Sequence, residues 1–338
     1  MNPKISIIVP LYKVTSIQLQ ICIDSVLTQS FSNFELLVID DGSPYDYTGL
    51  KQKYESLDSR VHFYRQANSG VSAARNKGVS LAQGDFLVFL DSDDFWDSGF
   101  LYKMYSAIND YDLIICGLDE QWFPSVNTCV DKRLFFSTPS QYNYLQYVNF
   151  SVNKLFRRNI IEQYHLSFPV GVQLGEDAIF VASYLSHCRK IRCIPDRLYH
   201  YVPNASSAIH VYNRNYWHSE RDVIQIQWQM FHQYPLFERE EFFMQHWLFE
   251  KLKSVLFYYL SNERDSSSSQ KIVKEVFYSG VFDPILRESI KENNPYFTKS
   301  ETATLRRLRH KQIAGVNKIY QHDIIAQKFL KLKNIVFS

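Results

Sequence analysis

The sequence predicts an α/β protein, with a mostly parallel sheet flanked by helices and a mainly helical C-terminal domain. Three observations support this class. Near-continuous apolar runs, typical of strands buried on both faces, alternate with helix-spaced segments over the first 115 residues. These runs end in Pro, Gly or acidic residues, as strands do before a turn. From about residue 216 the spacing is helical throughout. We therefore predict two domains, residues 1–215 and 216–338.

The elements of the first domain follow one another as strand and helix. Short apolar runs predict strands at 5–12, 35–43, 61–66, 85–94 and 112–117. Apolar residues at helical intervals predict helices at 15–30, 46–57, 71–84 and 100–110. Next comes an aromatic-rich segment without clear period, 118–150, which is expected to be irregular or to contain a hairpin. A strand–helix unit is predicted at 151–163, and strand pairs at the sheet edge are predicted at 191–202.

Composition restricts the classes of function. The 37 basic and 35 acidic side chains give a net charge of +2, so no general nucleic-acid-binding surface is expected. Apolar runs shorter than about 18 residues predict no transmembrane helix. The five cysteines form no CxxC pair, which favours free, mostly buried thiols in a reducing compartment and argues against a zinc site. We expect a cytoplasmic protein.

Three features lie at the ends of predicted strands: Pro10-Leu11-Tyr12, and the mainly polar residues at 40–43 and 91–94. Ligands of open parallel sheets bind beyond the carboxyl ends of the strands, where these residues should converge. Carboxylates gathered at one rim repel each other unless a cation or hydrogen-bond donors are present. The sequence Asp91-Ser92-Asp93 suits Mg²⁺ or Mn²⁺ bridging a diphosphate. The alternative is that these acids cap the helices that follow.

Four segments together resemble the family 2 inverting glycosyltransferases with the GT-A fold. They cover residues 5 to about 205 in the order and spacing of that family, and read ISIIVPLY, LLVIDDGSPYD, NSGVSAARNKGVSLAQGDFLVFLDSDDFW and GED. The resemblance implies a Rossmann-like, mixed but mostly parallel sheet. It also implies a UDP-sugar donor, a Mn²⁺ or Mg²⁺ ion, and a carbohydrate or glycoprotein acceptor.

The resemblance assigns donor contacts to residues at the strand ends and on the third predicted helix. Pro10 and Tyr12 would line the uracil pocket, and Asp40 or Asp41 would accept hydrogen bonds from the base or the ribose. Asn68 and Arg75 would contact the base and phosphates. The full set is Pro10, Tyr12, Asp40, Asp41, Asn68, Arg75, Asp91, Ser92 and Lys154.

The metal is assigned in the same way. Asp93 would hold the ion directly, and Asp91 would contact the ribose or a water bound to the metal. Asp94 is expected to cap a helix or to support this loop. The metal would neutralise the diphosphate leaving group, where charge develops.

Glu176 and Asp177 follow Gly175 and open a predicted helix. Taken alone, acids in a first turn interact favourably with the helix dipole. The resemblance implies that Asp177 is the general base for the acceptor hydroxyl and that Glu176 orients the acceptor. An ordinary Asp, with a pKa near 4, is ionised at neutral pH as this role requires.

Two further residues keep more than one interpretation each. Lys154 contacts the diphosphate or the acceptor, or it is a solvated lysine. His200 substitutes for an Arg that relatives direct at the diphosphate, ligates the metal, or packs as a strand residue, which the sequence favours. Val202 stands where that Arg is expected.

Residues 302–338 carry eight Lys/Arg and one acid, with apolar residues at helical intervals. This tail either rests on the inner face of the membrane or packs on its own domain or in a homo-oligomer, and the sequence favours packing. Two other functions are less consistent with the sequence. The intact acids Asp91, Asp93 and Asp177 argue against a non-catalytic scaffold. A sugar-phosphate nucleotidyltransferase would need a glycine-rich phosphate loop after the first strand, where this chain has VPLYKV.

Overall fold

The computed structural model describes seven segments of the chain. They are residues 2–118, 128–130, 150–172, 175–203, 216–233, 241–262 and 266–286, with the isolated positions 299, 302 and 305. The chain forms two compact units, Met1–Leu236 and Phe237–Ser338. Most of the segment 118–150 and nearly all of the basic tail lie outside the described residues.

One sheet organises the first unit. Its described strands are β1 (Ile5–Leu11), β2 (Phe34–Asp40), β3 (Val61–Arg65), β4 (Phe86–Phe89), β5 (Phe95–Trp96), β6 (Leu113–Leu118), β7 (Thr128–Val130), β8 (Lys154–Arg157) and β9 (Ile191–His200). Their order is β3-β2-β1-β4-β8-β6-β9-β5, and β7 pairs with β9. The first four strands run parallel, β8 is antiparallel to both of its neighbours, and β6 is parallel to β9. The predicted α/β class is confirmed.

Helices connect the strands of this unit. They are α1 (Ser16–Leu27), α2 (Thr48–Leu57), α3 (Val71–Leu81), α4 (Phe100–Ile108), α5 (Arg158–Gln163), α6 (Glu176–His187) and α7 (Tyr216–Gln233). The start of α1 is fixed by a capping box, in which Thr15 and Gln18 satisfy each other's backbone N–H groups.

The centre of the sheet is fully buried, and its packing depends on a glycine. Ile5, Ile7 and Ile8 of β1 have no exposed surface, as continuous apolar strands predict. On α3, a Cβ atom at Gly78 would lie 2.4 Å from Cγ2 of Ile8. The absence of a side chain at Gly78 therefore lets α3 lie directly on β1.

The end of the sheet differs from the prediction. The segment 191–202 was expected to form strand pairs at the edge, but it contains one strand, β9, which lies between β6 and β5. Pro195 cannot donate to a ladder, yet it lies inside β9. The register against β6 passes from Cys193 to Arg197 with an irregularity, so no ladder bond is required of Pro195. The short strand β5 was not predicted.

The described helices of the second unit are α8 (Glu241–Asn262), α9 (Ser266–Tyr278) and α10 (Asp283–Leu286). They agree with the helical character predicted for this region. Among the described helices of both units, none is both long enough and apolar enough to span a bilayer. The five cysteines, all within the described residues, form no disulfide, and four of them are buried, as expected.

Candidate active site

The predicted polar rim is present. The parallel strands β2, β1 and β4 are neighbours, and Leu11 at the end of β1 is in register with Asp40 at the end of β2. The loop after β4 carries Asp91–Asp94. The carboxyl ends of the three strands therefore bring these loops to one edge, as their sequence positions required.

Asp41 and Asn68 join the loop after β2 to the start of α3. The Asp41 carboxylate accepts hydrogen bonds from the backbone N–H groups of Ser69 (2.9 Å) and Gly70 (2.8 Å), and from the Gln66 side chain (2.8 Å). The Asn68 amide donates to the Asp41 carbonyl at 3.0 Å. The described contacts of both side chains are therefore within the protein, and their contact with a donor stays a prediction.

Asp40 is also engaged by the protein. Its carboxylate accepts a hydrogen bond from the Ser43 N–H at 2.8 Å and forms an ion pair with Arg65 at 2.7 Å. Gly42, which follows Asp41, has a φ of +65°, and a Cβ there would lie 2.6 Å from the Asn68 backbone nitrogen. Glycine is thus required where the two loops meet.

The two residues predicted at the uracil pocket differ in accessibility. Pro10 is buried within β1. The Tyr12 side chain, directly after that strand, is 43% exposed, with the Lys13 ammonium 5.0 Å from its ring centroid. An exposed ring at a strand end is suited to stacking on a flat ligand.

Arg75 lies at the centre of the site. Its side chain, on α3, is 3% exposed and contacts three carboxylates. Nη2 donates to Asp91 Oδ1 at 2.9 Å, while Nη1 donates to Asp177 Oδ1 at 2.8 Å and to Glu176 Oε1 at 3.0 Å. One guanidinium thus joins the acidic loop after β4 to the acids that open α6.

These contacts change the ionisation of the cluster. Burial acts to lower the pKa of Arg75, but the charges of Asp177, Asp91 and Glu176 outweigh burial and leave that pKa raised. Burial, with the charge of Asp177, raises the pKa of Glu176 to about 7 against the opposing effect of Arg75. Burial also raises the pKa of Asp177, and Arg75 again opposes the shift. The ordinary pKa expected for Asp177 is therefore wrong, because the sequence did not reveal its burial.

Asp177 is held from a second side by Ser151. The Ser151 hydroxyl donates to Asp177 Oδ1 at 3.0 Å, and its backbone N–H donates to Oδ2 at 3.3 Å. The Asp177 side chain retains 14% of its exposure. Asp177 is therefore fixed but reachable, which suits a group that takes a proton from a bound hydroxyl.

Gly175 sets the direction of the first turn of α6. Its φ is +91°, a left-handed conformation that L side chains rarely adopt. A Cβ at this position would lie 2.9 Å from Cγ2 of Val223 on α7. Both constraints favour glycine directly before Glu176 and Asp177.

The acidic loop is supported from β9. The buried Asp94 accepts hydrogen bonds from the Tyr199 hydroxyl at 2.5 Å and from the Val202 N–H at 2.8 Å. The Tyr199 hydroxyl also accepts one from the Asp91 N–H at 3.4 Å. Asp94 thus supports the loop, which is one of the two roles predicted for it. Ser92, in the same loop, is buried.

The two predicted metal ligands, Asp91 and Asp93, fit a cation that takes its other ligands from phosphate oxygens and water. Within the described ranges, no group of three or more His, Cys, Asp or Glu side chains is arranged to hold a metal. Asp91 is 37% exposed and uses Oδ1 for Arg75, and Asp93 is partly exposed. Mg²⁺ is commonly held by one or two carboxylates plus phosphate oxygens. Asp91 and Asp93 are consistent with such a site.

Lys154 and His200 are both packed. The Lys154 side chain is fully buried on β8, and its ammonium donates to the Phe150 carbonyl and the Asn153 side chain, so the solvated interpretation is wrong. The His200 ring stacks on Phe95 with centroids 4.7 Å apart, and its Nε2 lies 3.1 Å from Asp97 Oδ1. These contacts agree with the packing role favoured for His200.

Sequence reasoning missed two features of the site. It assigned Arg75 to the donor and not to the link between Asp91 and Asp177, and it did not identify Ser151 or Tyr199. Arg75 and Asp177 are 102 positions apart. No local pattern marks such a pair. The one available signal is that several acids at the strand ends need a positive charge nearby, and Arg75 lies on a helix next to these strands.

The chain is similar to known glycosyltransferases. Residues 6–165 match the family model described as glycosyl transferase family 2. Residues 6–165 therefore form a family 2 glycosyltransferase domain. It is 27% identical over 342 residues to the putative glycosyltransferase EpsH of Bacillus subtilis (strain 168), covering 96% of this chain and 97% of EpsH. These matches support a glycosyltransferase, as the resemblance implied.

Two further similarities concern fold and relatives. Residues 1–349 of S. aureus TarS, in a crystal structure with UDP, superpose with a TM-score of 0.72 at 18% identity, covering 94% of this chain and 91% of the TarS chain. The fold is GT-A, as predicted. A poly(ribitol-phosphate) beta-glucosyltransferase of Bacillus spizizenii is 26% identical over 245 residues, covering 65% of this chain and 36% of that enzyme.

Proposed function

We propose that this glycosyltransferase moves a sugar from a UDP-sugar to a hydroxyl of a carbohydrate or glycoprotein acceptor, with inversion and with a divalent metal. The observation that carries the proposal is the Arg75 guanidinium, which contacts Asp91 on the donor side and Asp177 at the start of α6. Asp91 could help to hold the metal of a diphosphate donor. The same guanidinium contacts the mostly buried carboxylate of Asp177, which suits general-base catalysis.

The donor class is supported by the relatives. TarS has been crystallised with UDP and with UDP-GlcNAc. At the corresponding rim of this chain, Tyr12 offers an exposed ring, and Asp91 and Asp93 would hold Mn²⁺ or Mg²⁺. The ion would supply neutralisation of the diphosphate charge as UDP leaves.

The chain's own residues provide the proton chemistry. Asp177 takes the proton of the acceptor hydroxyl, whose oxygen attacks the anomeric carbon as the bond to UDP breaks. A single base suffices for direct displacement, whereas glycoside hydrolases place two carboxyl groups around the bond. Burial raises the pKa of Asp177, which makes it a stronger base than an exposed Asp, while Arg75 keeps the carboxylate form accessible. Glu176, bonded to the same guanidinium, orients the acceptor.

The location follows from composition. Five cysteines that form no disulfide fit a reducing compartment, so we propose a cytoplasmic enzyme. The basic tail, residues 302–338, would provide peripheral contact with the membrane or an oligomer interface.

The experiment is a UDP-release assay over a panel of UDP-sugars, first in water and then with polymer acceptors. We expect release from one or a few sugars, with Asp177→Asn losing at least two orders of magnitude in turnover and keeping UDP affinity. Asp85→Asn is the matched control, because this exposed acid precedes β4 at the opposite end of that strand. Full activity of Asp177→Asn would exclude this residue as the base, and a retained anomeric configuration in the product, seen by NMR, would exclude inversion.

A further inference from the structure

The segment from Phe150 to Lys154 holds Asp177 in place. Ser151 has no exposed surface, and it uses both its hydroxyl and its N–H on the Asp177 carboxylate. Arg75 holds the same carboxylate from α3. Two elements that are distant in sequence therefore fix the orientation of one side chain.

Lys154 fixes the backbone around Ser151. Its buried ammonium donates to the Phe150 carbonyl, one residue before Ser151, and to Asn153 Oδ1 at 2.7 Å. Asn153 donates in turn to the Cys116 carbonyl at 2.7 Å, and its own carbonyl accepts from the Cys116 N–H at 3.1 Å. The segment is thereby tied to β6 on one side and to Asp177 on the other.

A buried lysine is costly where an apolar side chain would fill the same space. Here the ammonium donates to a backbone carbonyl and to a buried amide oxygen, which a methionine could not do. The position of Lys154 is thus explained by what it does to the segment and not by contact with solvent.

The two oxygens of Asp177 are in different situations. Oδ1 accepts two hydrogen bonds, from Arg75 Nη1 at 2.8 Å and from the Ser151 hydroxyl at 3.0 Å. From the described residues, Oδ2 accepts one, from the Ser151 N–H at 3.3 Å. A carboxylate oxygen has about two lone-pair sites, so Oδ2 retains one for a ligand.

We propose that Ser151 and Lys154 are positioning residues for the base, and that they present Oδ2 of Asp177 to the acceptor. This inference rests on the proposed function. In the step, the acceptor O–H proton moves to Oδ2 and the acceptor oxygen bonds to the anomeric carbon. The bond between that carbon and the diphosphate oxygen breaks, and UDP leaves with the electron pair.

The test is a double-mutant cycle on UDP release, using whichever of UDP-GlcNAc and UDP-glucose the wild type hydrolyses faster. Ser151→Ala and Lys154→Met should each lower kcat at least tenfold, with the KM for the UDP-sugar changed less than twofold. In an Asp177→Asn background the same substitutions should change the residual kcat less than twofold, because residues that act through one group are not additive. Full additivity would overturn the proposal.

A raised KM for the UDP-sugar in Lys154→Met would also overturn it, because it would indicate contact with the donor. Ser151→Thr retains the hydroxyl and should recover most of the kcat lost in Ser151→Ala. Lys103→Met is the control, since this exposed lysine pairs with Asp196.

If Lys154→Met fails to fold, the Ser151 cycle decides alone. Loss of activity in Asp177→Asn with full activity in Ser151→Ala and Lys154→Met would overturn this inference and leave the proposed function standing, whereas an active Asp177→Asn would contradict the proposed base itself.

Discussion

Nη1 of Arg75 lies 2.8 Å from Oδ1 of Asp177, within a side-chain cluster whose Arg is 3% exposed. The same guanidinium contacts Asp91 on the acidic loop. The cation therefore offsets repulsion among carboxylates that would otherwise lie unpaired in a partly buried site. It also couples the position of the base to the loop that would receive the donor.

Arg75→Met is expected to destabilise the protein by about 3–5 kcal/mol at neutral pH, because it leaves three carboxylates without their buried partner. The loss should shrink toward pH 5, because Glu176, whose pKa is about 7, is protonated there and no longer adds a negative charge to the cluster. Urea unfolding at both pH values measures this. Arg75→Lys keeps the charge but loses the forked geometry, so its loss should be intermediate.

Arg60→Met is the control for that experiment, because Arg60 forms a more exposed pair with Asp58. Its effect should stay near or below about 1 kcal/mol. An equal loss in Arg75→Met at both pH values would contradict the view that carboxylate repulsion is the cause.

Gly175→Ala should lower both stability and turnover. The left-handed φ of +91° costs an alanine about 1–2 kcal/mol, and the contact 2.9 Å from Val223 adds to that cost. Gly171→Ala is the matched control, since Gly171 has a φ of +88° but open space around its Cβ position. Thermal unfolding and UDP release measure the difference.

Val223→Ala should recover part of the stability lost in Gly175→Ala, because it removes the Cγ atoms that the new Cβ meets. Equal losses in Gly175→Ala and Gly171→Ala would show that packing against α7 is unimportant.

Lys154 should give the protein a distinct stability profile at alkaline pH. Burial lowers the pKa of Lys154 to about 7, from 10.5. Between these values the unfolded chain binds more protons than the folded one, so the free energy of unfolding rises with pH, by up to about 1.4 kcal/mol per unit. Lys154→Met should lack this rise. Urea unfolding between about pH 7 and pH 9 compares the two, and parallel curves would contradict the prediction.

UDP with Mn²⁺ should stabilise the wild type more than UDP alone. A ligand at a hundred times its Kd adds about 2.7 kcal/mol to the free energy of unfolding, which thermal-shift titration detects. Asp93→Ala should lose the Mn²⁺-dependent part. Asp97→Ala is the control, because this exposed acid follows the loop and pairs with His200. An identical shift with and without EDTA would argue against a metal.

Much of the site followed from the chain. Apolar runs ending in acids located the strand ends near Asp40 and Asp91, because buried strands need continuous apolar residues and parallel strands share an edge. The single strand β9 did not follow, because the pairing of segments far apart in the chain is set by the tertiary structure. The burial of Lys154 did not follow either, because one lysine in a mixed segment is compatible with both solvation and ligand contact.

The sequence by itself determined the α/β class, the acids at the rim and the glycine before Glu176, since each depends on local pattern or backbone conformation. Only the tertiary structure decided that Arg75 joins Asp91 to Asp177, that Ser151 donates to the same carboxylate, and that Lys154 is buried next to Ser151. Those contacts join residues up to 102 positions apart. Their geometry and burial come from how the helices pack on the sheet, and burial is what shifts the pKa values of this cluster.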